Sequence, residues 1–424
     1  MPEVVTFYPG PLRGTVDVPG DKSISHRALI AAACTTEPLR VSNLNPGRDV
    51  RATREALAAL GVGFQSDGGD FIVDGAPLTA AAATLDCMNS GSTVRMLLGA
   101  CAGAGVRARF DGDDSLRRRP MEPVAAQLRA FGARIDTTGG HLPLVIDGTP
   151  EIQTRHFILL APSAQVKSAL LFAGLFAGVP VEVEGDCGSR DHTERLLCYL
   201  GADIEWNERG ARLGRSSPAS RPIEVVGDFS AAAFFIAAAA ITPGSSVLVR
   251  GVGTNPTRTG LIDALRAMGA SIDVLNPRTI CEEPAADIAA QWRPLEAAGI
   301  TASVALRAID EIPLLAIAAA FARGVTSIAG VGDLRTKESD RLAAIERLLE
   351  AVGIAARYER GVLQIAGGAP APTGRDVETH GDHRVAMAAA VLACAAGPLR
   401  IDSDASLDVS FPDFAPALER LRTG

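Results

Sequence analysis

Five segments of the chain end the same way. Leu57-Ala58-Ala59-Leu60-Gly61, Leu128-Arg129-Ala130-Phe131-Gly132, Leu197-Cys198-Tyr199-Leu200-Gly201, Leu265-Arg266-Ala267-Met268-Gly269 and Leu349-Glu350-Ala351-Val352-Gly353 each read as the last turn of an apolar helix closed by glycine. Glycine at that place suits a helix C-cap, because it enters the left-handed region without a steric cost. Most of these glycines lie roughly 70 residues apart, and a strand-like run usually follows. That period is longer than in the common solenoids. Six units of this length account for almost all of the 424 residues. The pattern predicts a pseudo-symmetric α/β protein of two domains with three units each.

The domain boundary is placed by composition. A polar stretch over 207–221 is followed by Ile223-Glu224-Val225-Val226 and then by an alanine-rich helix, which puts a crossover near Val226. Pro19-Gly20 is its natural partner, if the first strand, over 14–18, belongs with the second half. The expected domains are 20–225, and 1–19 together with 226–424. The apolar run 231–241 is shorter than the roughly 18 residues needed to cross a bilayer, so it reads as a buried helix.

Composition narrows the function. Aromatic residues make up 4% and the net charge is −8, which argues against a nucleic-acid binder held by counterion release. The seven cysteines are scattered with no CxxC, and residues 1–7 carry neither a basic region nor an apolar core. Both features predict a reduced, cytoplasmic protein. Any anion site must therefore be a local concentration of positive charge.

Such concentrations recur at predicted helix starts. Gly20-Asp21-Lys22-Ser23-Ile24-Ser25-His26-Arg27 runs into an apolar helix, with Asp21 or Ser23 as the N-cap. Asn89-Ser90-Gly91-Ser92-Thr93-Val94-Arg95 is a small-residue loop before another helix, and Gly91 would let a ligand approach the backbone. It lacks the Walker lysine and does not match GxGxxG. One of Arg117-Arg118-Arg119, turned inward, could clamp a carboxylate or phosphate. Ser163-Ala164-Gln165-Val166-Lys167 and Ser189-Arg190-Asp191-His192-Thr193-Glu194 repeat the pattern. Asp310-Glu311 reads as a helix cap, or as an acid able to take a proton from an alcohol. In Leu334-Arg335-Thr336-Lys337-Glu338-Ser339-Asp340-Arg341, the spacing puts Lys337, Glu338 and Arg341 on one helix face. A carboxylic acid among those cations is a candidate proton donor. In Thr379-His380-Gly381-Asp382-His383-Arg384 the spacing does not match HExxH, and a histidine oriented by Asp382 with Arg384 on an anion is more economical than a metal. Each cluster alone reads as readily as a capped helix. Together, with both halves facing one cleft, they predict a ligand with several negative charges.

In this order, and ending with Ser410-Phe411-Pro412, the clusters resemble the 5-enolpyruvylshikimate-3-phosphate synthases over nearly the full length. The resemblance implies an α/β fold of six βαβαββ units, three per domain, with the active site in the cleft between the domains. It implies transfer of the enolpyruvyl group of phosphoenolpyruvate to the 5-hydroxyl of shikimate 3-phosphate through a tetrahedral intermediate, without cofactor or metal, by a monomer. Carried residue by residue, it implies that Lys22, Ser23, Arg27, Ser163, Ala164, Gln165 and Arg190 hold shikimate 3-phosphate, with Asp310 and Lys337. Phosphoenolpyruvate falls to Lys22, Arg119, Lys337, Arg341 and Arg384, with Asn89, Gly91 and Gln165 shaping its pocket. Asp310 takes the hydroxyl proton. Glu338 protonates the methylene carbon and later deprotonates the methyl. Lys22, with His383, stabilises the charged intermediate.

Two positions depart from better-known members. Met96 stands where enteric and plant relatives have proline. Val409 stands where many members have lysine, so one phosphate contact is either lost or supplied elsewhere, with Lys167 as the candidate. Gly91 is retained, which implies inhibition by glyphosate. The sister family that transfers enolpyruvate to UDP-N-acetylglucosamine carries a loop cysteine, and residues 113–119 have none. A non-catalytic anion-binding protein on the same scaffold would be expected to lack Asp310, Glu338 or Lys22, and all three are present.

Overall fold

The computed structural model describes residues 5–148, 151–185, 188–374, 376–402 and 410–423. The chain divides into two compact units, one formed by 20–226 with 279–283, the other by 1–19, 227–278 and 284–424.

In the unit built on 20–226, one strand order occurs three times. His156–Ile158 runs parallel to Val181–Glu184, which pairs antiparallel with Gly210–Leu213, which pairs antiparallel with Ile204–Asn207. Leu85–Asp86, Arg107–Asp111, His141–Asp147 and Arg134–Thr138 repeat that order. So do Ile223–Glu224, Leu39–Ser42, Asp70–Asp74 and Gly63–Asp67. In this last sheet the first strand arrives from the end of the unit, Ile223 lying opposite Val41. The return passes close to Gly20: Asp21 N–H donates to Val226 O at 2.8 Å, and a Cβ at Gly20 would lie 1.7 Å from the Asn43 carbonyl oxygen. Only glycine fits there.

Helices Gly91–Ala104 and Ala164–Ala177 pack parallel at backbone contact. A Cβ on Gly99 would lie 2.0 Å from Ala169 O, and one on Gly103 2.1 Å from Ala173 O. The offset is 70 residues at both places, so the sequence period is also the register of the helix pair. Because the register is locked, the two N-termini, each carrying a predicted cluster, lie side by side.

The other unit repeats the same strand order twice. Arg13–Asp17 runs parallel to Ser246–Gly253, followed by Glu283–Gln291 and Ser271–Ile280. Gly299–Ile300, Val325–Ala329, Val362–Ala366 and Ala356–Glu359 form the second sheet. Val5–Phe7 pairs antiparallel with Leu399–Ile401, and Val377 bridges to Ile401. Helices Phe229–Ile241 and Ile312–Ala320 are buried along their whole length, and His383–Ala396 along most of it. Such all-round apolar helices belong inside a core, with no polar face left for solvent. Phe234, Phe235, Phe411 and Phe414 close one end, with ring centroids 5.5–6.0 Å apart.

The five repeat glycines all take positive φ, from 74° at Gly353 to 129° at Gly132. No helix among the described residues is long and apolar enough to cross a membrane.

Candidate active site

In the 20–226 unit, Asp21 caps helix Lys22–Ala33, its carboxylate accepting from Ile24 N–H at 2.9 Å. The first turn then presents Lys22 and Ser23, both half-buried. Lys22 Nζ lies 2.9 Å from Asp49 Oδ2. Arg27, one turn on, is buried, and much of its fork is committed inside the protein. Nη1 donates to Ser23 O at 2.8 Å, Nε to Thr193 Oγ1 at 2.7 Å and Nη2 to Ser168 Oγ at 2.9 Å. The two hydroxyls are themselves 2.6 Å apart. Burial lowers the Arg27 pKa to about 10, with Glu194 opposing the shift and Arg190 adding to it, so the side chain is cationic at neutral pH.

Ser163 caps the helix that opens with Ala164 and Gln165. Gln165 bridges to the neighbouring helix: its Oε1 accepts from Arg95 Nη1 at 2.7 Å and its Nε2 donates to Ser92 Oγ at 2.9 Å. Arg95, which the sequence shows only as the last residue of the 89–95 cluster with no role of its own, also reaches Pro120 O at 3.1 Å and so ties Gln165 to the loop carrying Arg119. Its 70-residue offset from Gln165 was the available signal. Of the three consecutive arginines, Arg117 turns outward onto Asp111 and Arg118 is exposed. Arg119 is half-buried and donates to Asn89 Oδ1, while Asn89 donates to Asp113 Oδ2 at 2.7 Å. Gly91 is the first residue of its helix, and a Cβ there would lie 2.8 Å from Arg95 Nη1 and 3.4 Å from Arg119 Nη1. Arg190 is half-buried.

Lys167 is not the free cation that could replace a lost phosphate contact. It is 2% exposed, with Nζ 2.6 Å from Oε1 of the fully buried Glu194. Burial pushes the Glu194 carboxyl above its ordinary value, and Lys167 opposes the shift. Val409 lies outside the described residues.

In the other unit the centre is Arg341, 1% exposed, the first residue of helix Arg341–Glu350. Its Nε donates to Asp382 Oδ2 at 2.9 Å, its Nη2 to Glu338 Oε2 at 2.6 Å, and its Nη1 reaches Asp310 Oδ1 at 3.5 Å. Burial alone would lower the pKa of Arg341, but Asp382, Glu338 and Asp310 more than reverse that. Asp382 is sealed from solvent. Burial opposes its ionisation, Arg341 outweighs burial, and the carboxyl stays below its usual range. Asp310 and Glu338 keep some solvent access, so one guanidinium holds two carboxylates that a reactant can reach.

The expectation that Lys337, Glu338 and Arg341 line one helix face needs correction. Gly332–Thr336 is a short 3-10 turn, Lys337 is extended, and the α-helix starts only at Arg341 behind Asp340, whose carboxylate accepts from Ala343 N–H at 3.1 Å. The contact between Glu338 and Arg341 is made across the cap instead. Asp382 caps helix His383–Ala396, accepts from Arg384 N–H at 2.9 Å, and gives its carboxylate to Arg341 and to Ser339 Oγ (3.0 Å). His383 is buried. Glu311 occupies the N-cap position of helix Ile312–Ala320 without a side-chain cap bond. Arg384 Nη1 donates to Asp310 O at 3.2 Å, and its Nη2 lies 3.7 Å from Asp310 Oδ2.

Each unit thus gathers cations, hydroxyls and helix N-termini in one place, and one of them adds a carboxylate pair on a shared arginine. Residues 8–418 match the family model for EPSP synthase (3-phosphoshikimate 1-carboxyvinyltransferase). A protein named 3-phosphoshikimate 1-carboxyvinyltransferase from Desulforudis audaxviator is 44% identical, with 97% of each chain covered. One of the same name from Thermus thermophilus is 43% identical over 97% of each chain. Among solved structures, EPSP synthase from Acinetobacter baumannii is 36% identical with a TM-score of 0.87, covering 99% of this chain and 98% of that one. The enolpyruvyl transferase NikO from Streptomyces tendae, at 21% identity and a TM-score of 0.76, shares the fold. The predicted clusters, the repeated strand order and these matches along nearly the whole length agree: the chain belongs to the EPSP synthase (3-phosphoshikimate 1-carboxyvinyltransferase) family.

Proposed function

We propose residue roles for the activity that goes with this family: the chain is a 3-phosphoshikimate 1-carboxyvinyltransferase, moving the enolpyruvyl group of phosphoenolpyruvate onto the 5-hydroxyl of shikimate 3-phosphate. Shikimate 3-phosphate is held by Lys22, Ser23, Arg27, Ser163, Ala164, Gln165 and Arg190, with Asp310 and Lys337 on its hydroxyl side. Phosphoenolpyruvate is held by Lys22, Arg119, Lys337, Arg341 and Arg384, with Asn89, Gly91 and Gln165 shaping its place. Helix N-termini and cations at both clusters suit two polyanionic substrates.

In the addition step Asp310 accepts the proton of the 5-hydroxyl as its oxygen attacks C2 of phosphoenolpyruvate, and Glu338 delivers a proton to C3. Lys22 and His383 stabilise the charged tetrahedral adduct. In the elimination step Glu338 takes a proton back from the new methyl group, the C2–O bond to phosphate breaks, and phosphate leaves. The observation that carries this reading is the placement of Asp310 and Glu338 on the single buried guanidinium of Arg341. An acid and a base held on one cation keep a fixed separation while each changes protonation state.

Glyphosate, an anion with a phosphonate and a carboxylate, competes for the phosphoenolpyruvate residues. The enzyme acts as a cytoplasmic monomer, and the six described cysteines, all free thiols, suit a reducing compartment. The test is phosphate release from phosphoenolpyruvate, with and without shikimate 3-phosphate, beside Glu338→Gln. Release should require both substrates and fall by roughly 10²–10⁴ in the variant. Equal release by the variant would remove Glu338 from proton transfer.

A further inference from the structure

Three buried helices of the unit built on 227–278 and 284–424 begin at one point. Ser230 is the second residue of helix Phe229–Ile241, Glu311 immediately precedes Ile312–Ala320, and Arg384 is the second residue of His383–Ala396. Their side chains meet on one oxygen, and a fourth, from Arg258, joins them. Ser230 Oγ donates to Glu311 Oε1, accepts from Arg258 Nη2 at 2.6 Å, and accepts from Arg384 Nη2 at 3.3 Å. A hydroxyl has one proton and two lone pairs. All three are used here, so the proton has one place to go and the two guanidinium groups have one lone pair each.

We propose that Ser230, Glu311 and Arg258 are positioning residues for Arg384: a buried rack that sets the direction of its guanidinium. The backbone of Arg384 is already fixed by the Asp382 cap, so the rack acts on the side chain alone. Glu311 Oε1 also lies 3.5 Å from Arg384 Nη1, which ties both ends of the fork. Arg258 is 3% exposed and Glu311 1%. Arg258 Nη2 lies 4.0 Å from Glu311 Oε1, so two guanidinium groups flank one buried carboxylate. Arg258 and Arg384 thus share the Glu311 carboxylate as they share the Ser230 hydroxyl. With the rack in place, Arg384 Nη1 is delivered to Asp310 O and Nη2 to the edge of the Asp310 carboxylate. Without it a long side chain has several rotamers to choose from. The inference rests on the reading that Arg384 holds an anionic group of phosphoenolpyruvate.

The experiment pairs Ser230→Ala with Arg384→Ala in a double-mutant cycle, and repeats it with Glu311→Gln in place of Ser230→Ala. Ser230→Ala should raise KM for phosphoenolpyruvate about tenfold, the size of one hydrogen bond to a charged group, and leave KM for shikimate 3-phosphate within about twofold. Added to Arg384→Ala, it should raise KM for phosphoenolpyruvate no further. A further rise in that background would mean that Ser230 acts by some other route, and would overturn the rack. The second readout is the Nε–Hε resonance of Arg384, assigned by its loss in Arg384→Lys, which should shift or broaden in Ser230→Ala and in Glu311→Gln. An unchanged resonance overturns the inference. A shifted resonance, with KM for phosphoenolpyruvate unchanged in Arg384→Ala, upholds the rack and refutes the substrate assignment instead.

Discussion

Lys167→Met tests the energetics of the interior beneath the helix starts of the 20–226 unit. Methionine keeps most of the length and apolar volume of lysine and removes the charge. Lys167 Nζ and Glu194 Oε1 are 2.6 Å apart at 2% and 0% exposure, so neither group exchanges its partner for water. Removing one member of such a pair costs about 3–5 kcal/mol, most of it the strain of leaving the other charge uncompensated. At roughly 2–4 °C per kcal/mol for a domain of this size, the transition should fall by roughly 10 °C. The sign with pH is also set. Burial already raises the Glu194 pKa, with Lys167 opposing, so losing Lys167 raises it further. Between the unfolded carboxyl value and this higher folded value, the native state binds more protons than the unfolded one. Stability of the variant therefore falls as pH rises through that window, by up to about 1.4 kcal/mol per pH unit. The deficit should be larger at pH 8 than at pH 5, and Glu194→Gln in the same chain should abolish the slope and recover much of the loss. Urea titration can follow this unit alone, because the chain has two tryptophans, and Trp292→Phe leaves Trp206, whose indole N–H donates to Asp191 Oδ2 at 3.2 Å. Equal urea midpoints for Lys167→Met and the parent at pH 8, or a deficit that does not change with pH, would refute the reasoning.

Two further predictions concern the same unit. His26 is buried with Nδ1 2.7 Å from Thr53 Oγ1, and burial, then Lys22 and Arg27, hold its pKa well below the ordinary value. Its contribution to stability is complete above the unfolded histidine value and is lost as pH falls from there toward the folded value. His26→Gln should therefore flatten the dependence of the urea midpoint between pH 7 and pH 5, by up to about 1.4 kcal/mol per pH unit; an unaltered slope would show that His26 titrates alike in both states. At Gly91 a methyl group would lie 2.8 Å from Arg95 Nη1, which must shift, and in van der Waals contact, 3.4 Å, with Arg119 Nη1. Gly91→Ala should raise the glyphosate concentration for half-inhibition about tenfold, in line with the usual cost of overpacking, and KM for phosphoenolpyruvate by less. A parent enzyme already insensitive to glyphosate, or an unchanged inhibition curve, would contradict this.

What could be read before the structure was known follows the range of the interaction concerned. Glycines at helix ends are local: Gly61, Gly132, Gly201, Gly269 and Gly353 each need only their own positive φ, and all have it. The period they mark reappears as the 70-residue offset of Arg95 on Gln165 and of Gly99 on Ala169, because repeated units pack their helices in one register. That is why the helix starts carrying Lys22, Gly91 and Ala164 could be recognised together.

Side-chain partners were a different matter, because a carboxylate next to a helix start has two possible uses and only the tertiary fold chooses between them. Asp340 took the local one and capped its helix, which ended the run from Lys337 to Arg341 as a continuous face. Glu311 took the distant one. A cap side chain bonds the N–H groups of the second and third helical residues, and here the second is Pro313, which has none. With half of its local reward absent, the Glu311 carboxylate turned inward to Ser230, 81 residues away. Asp382 did both, capping Arg384 N–H while binding Arg341 from 41 residues away. Proline at the second helical position after an acid is thus a readable sign that the acid serves something other than its own helix. Applied to this sequence, that sign points to Glu311 and from it to the rack behind Arg384.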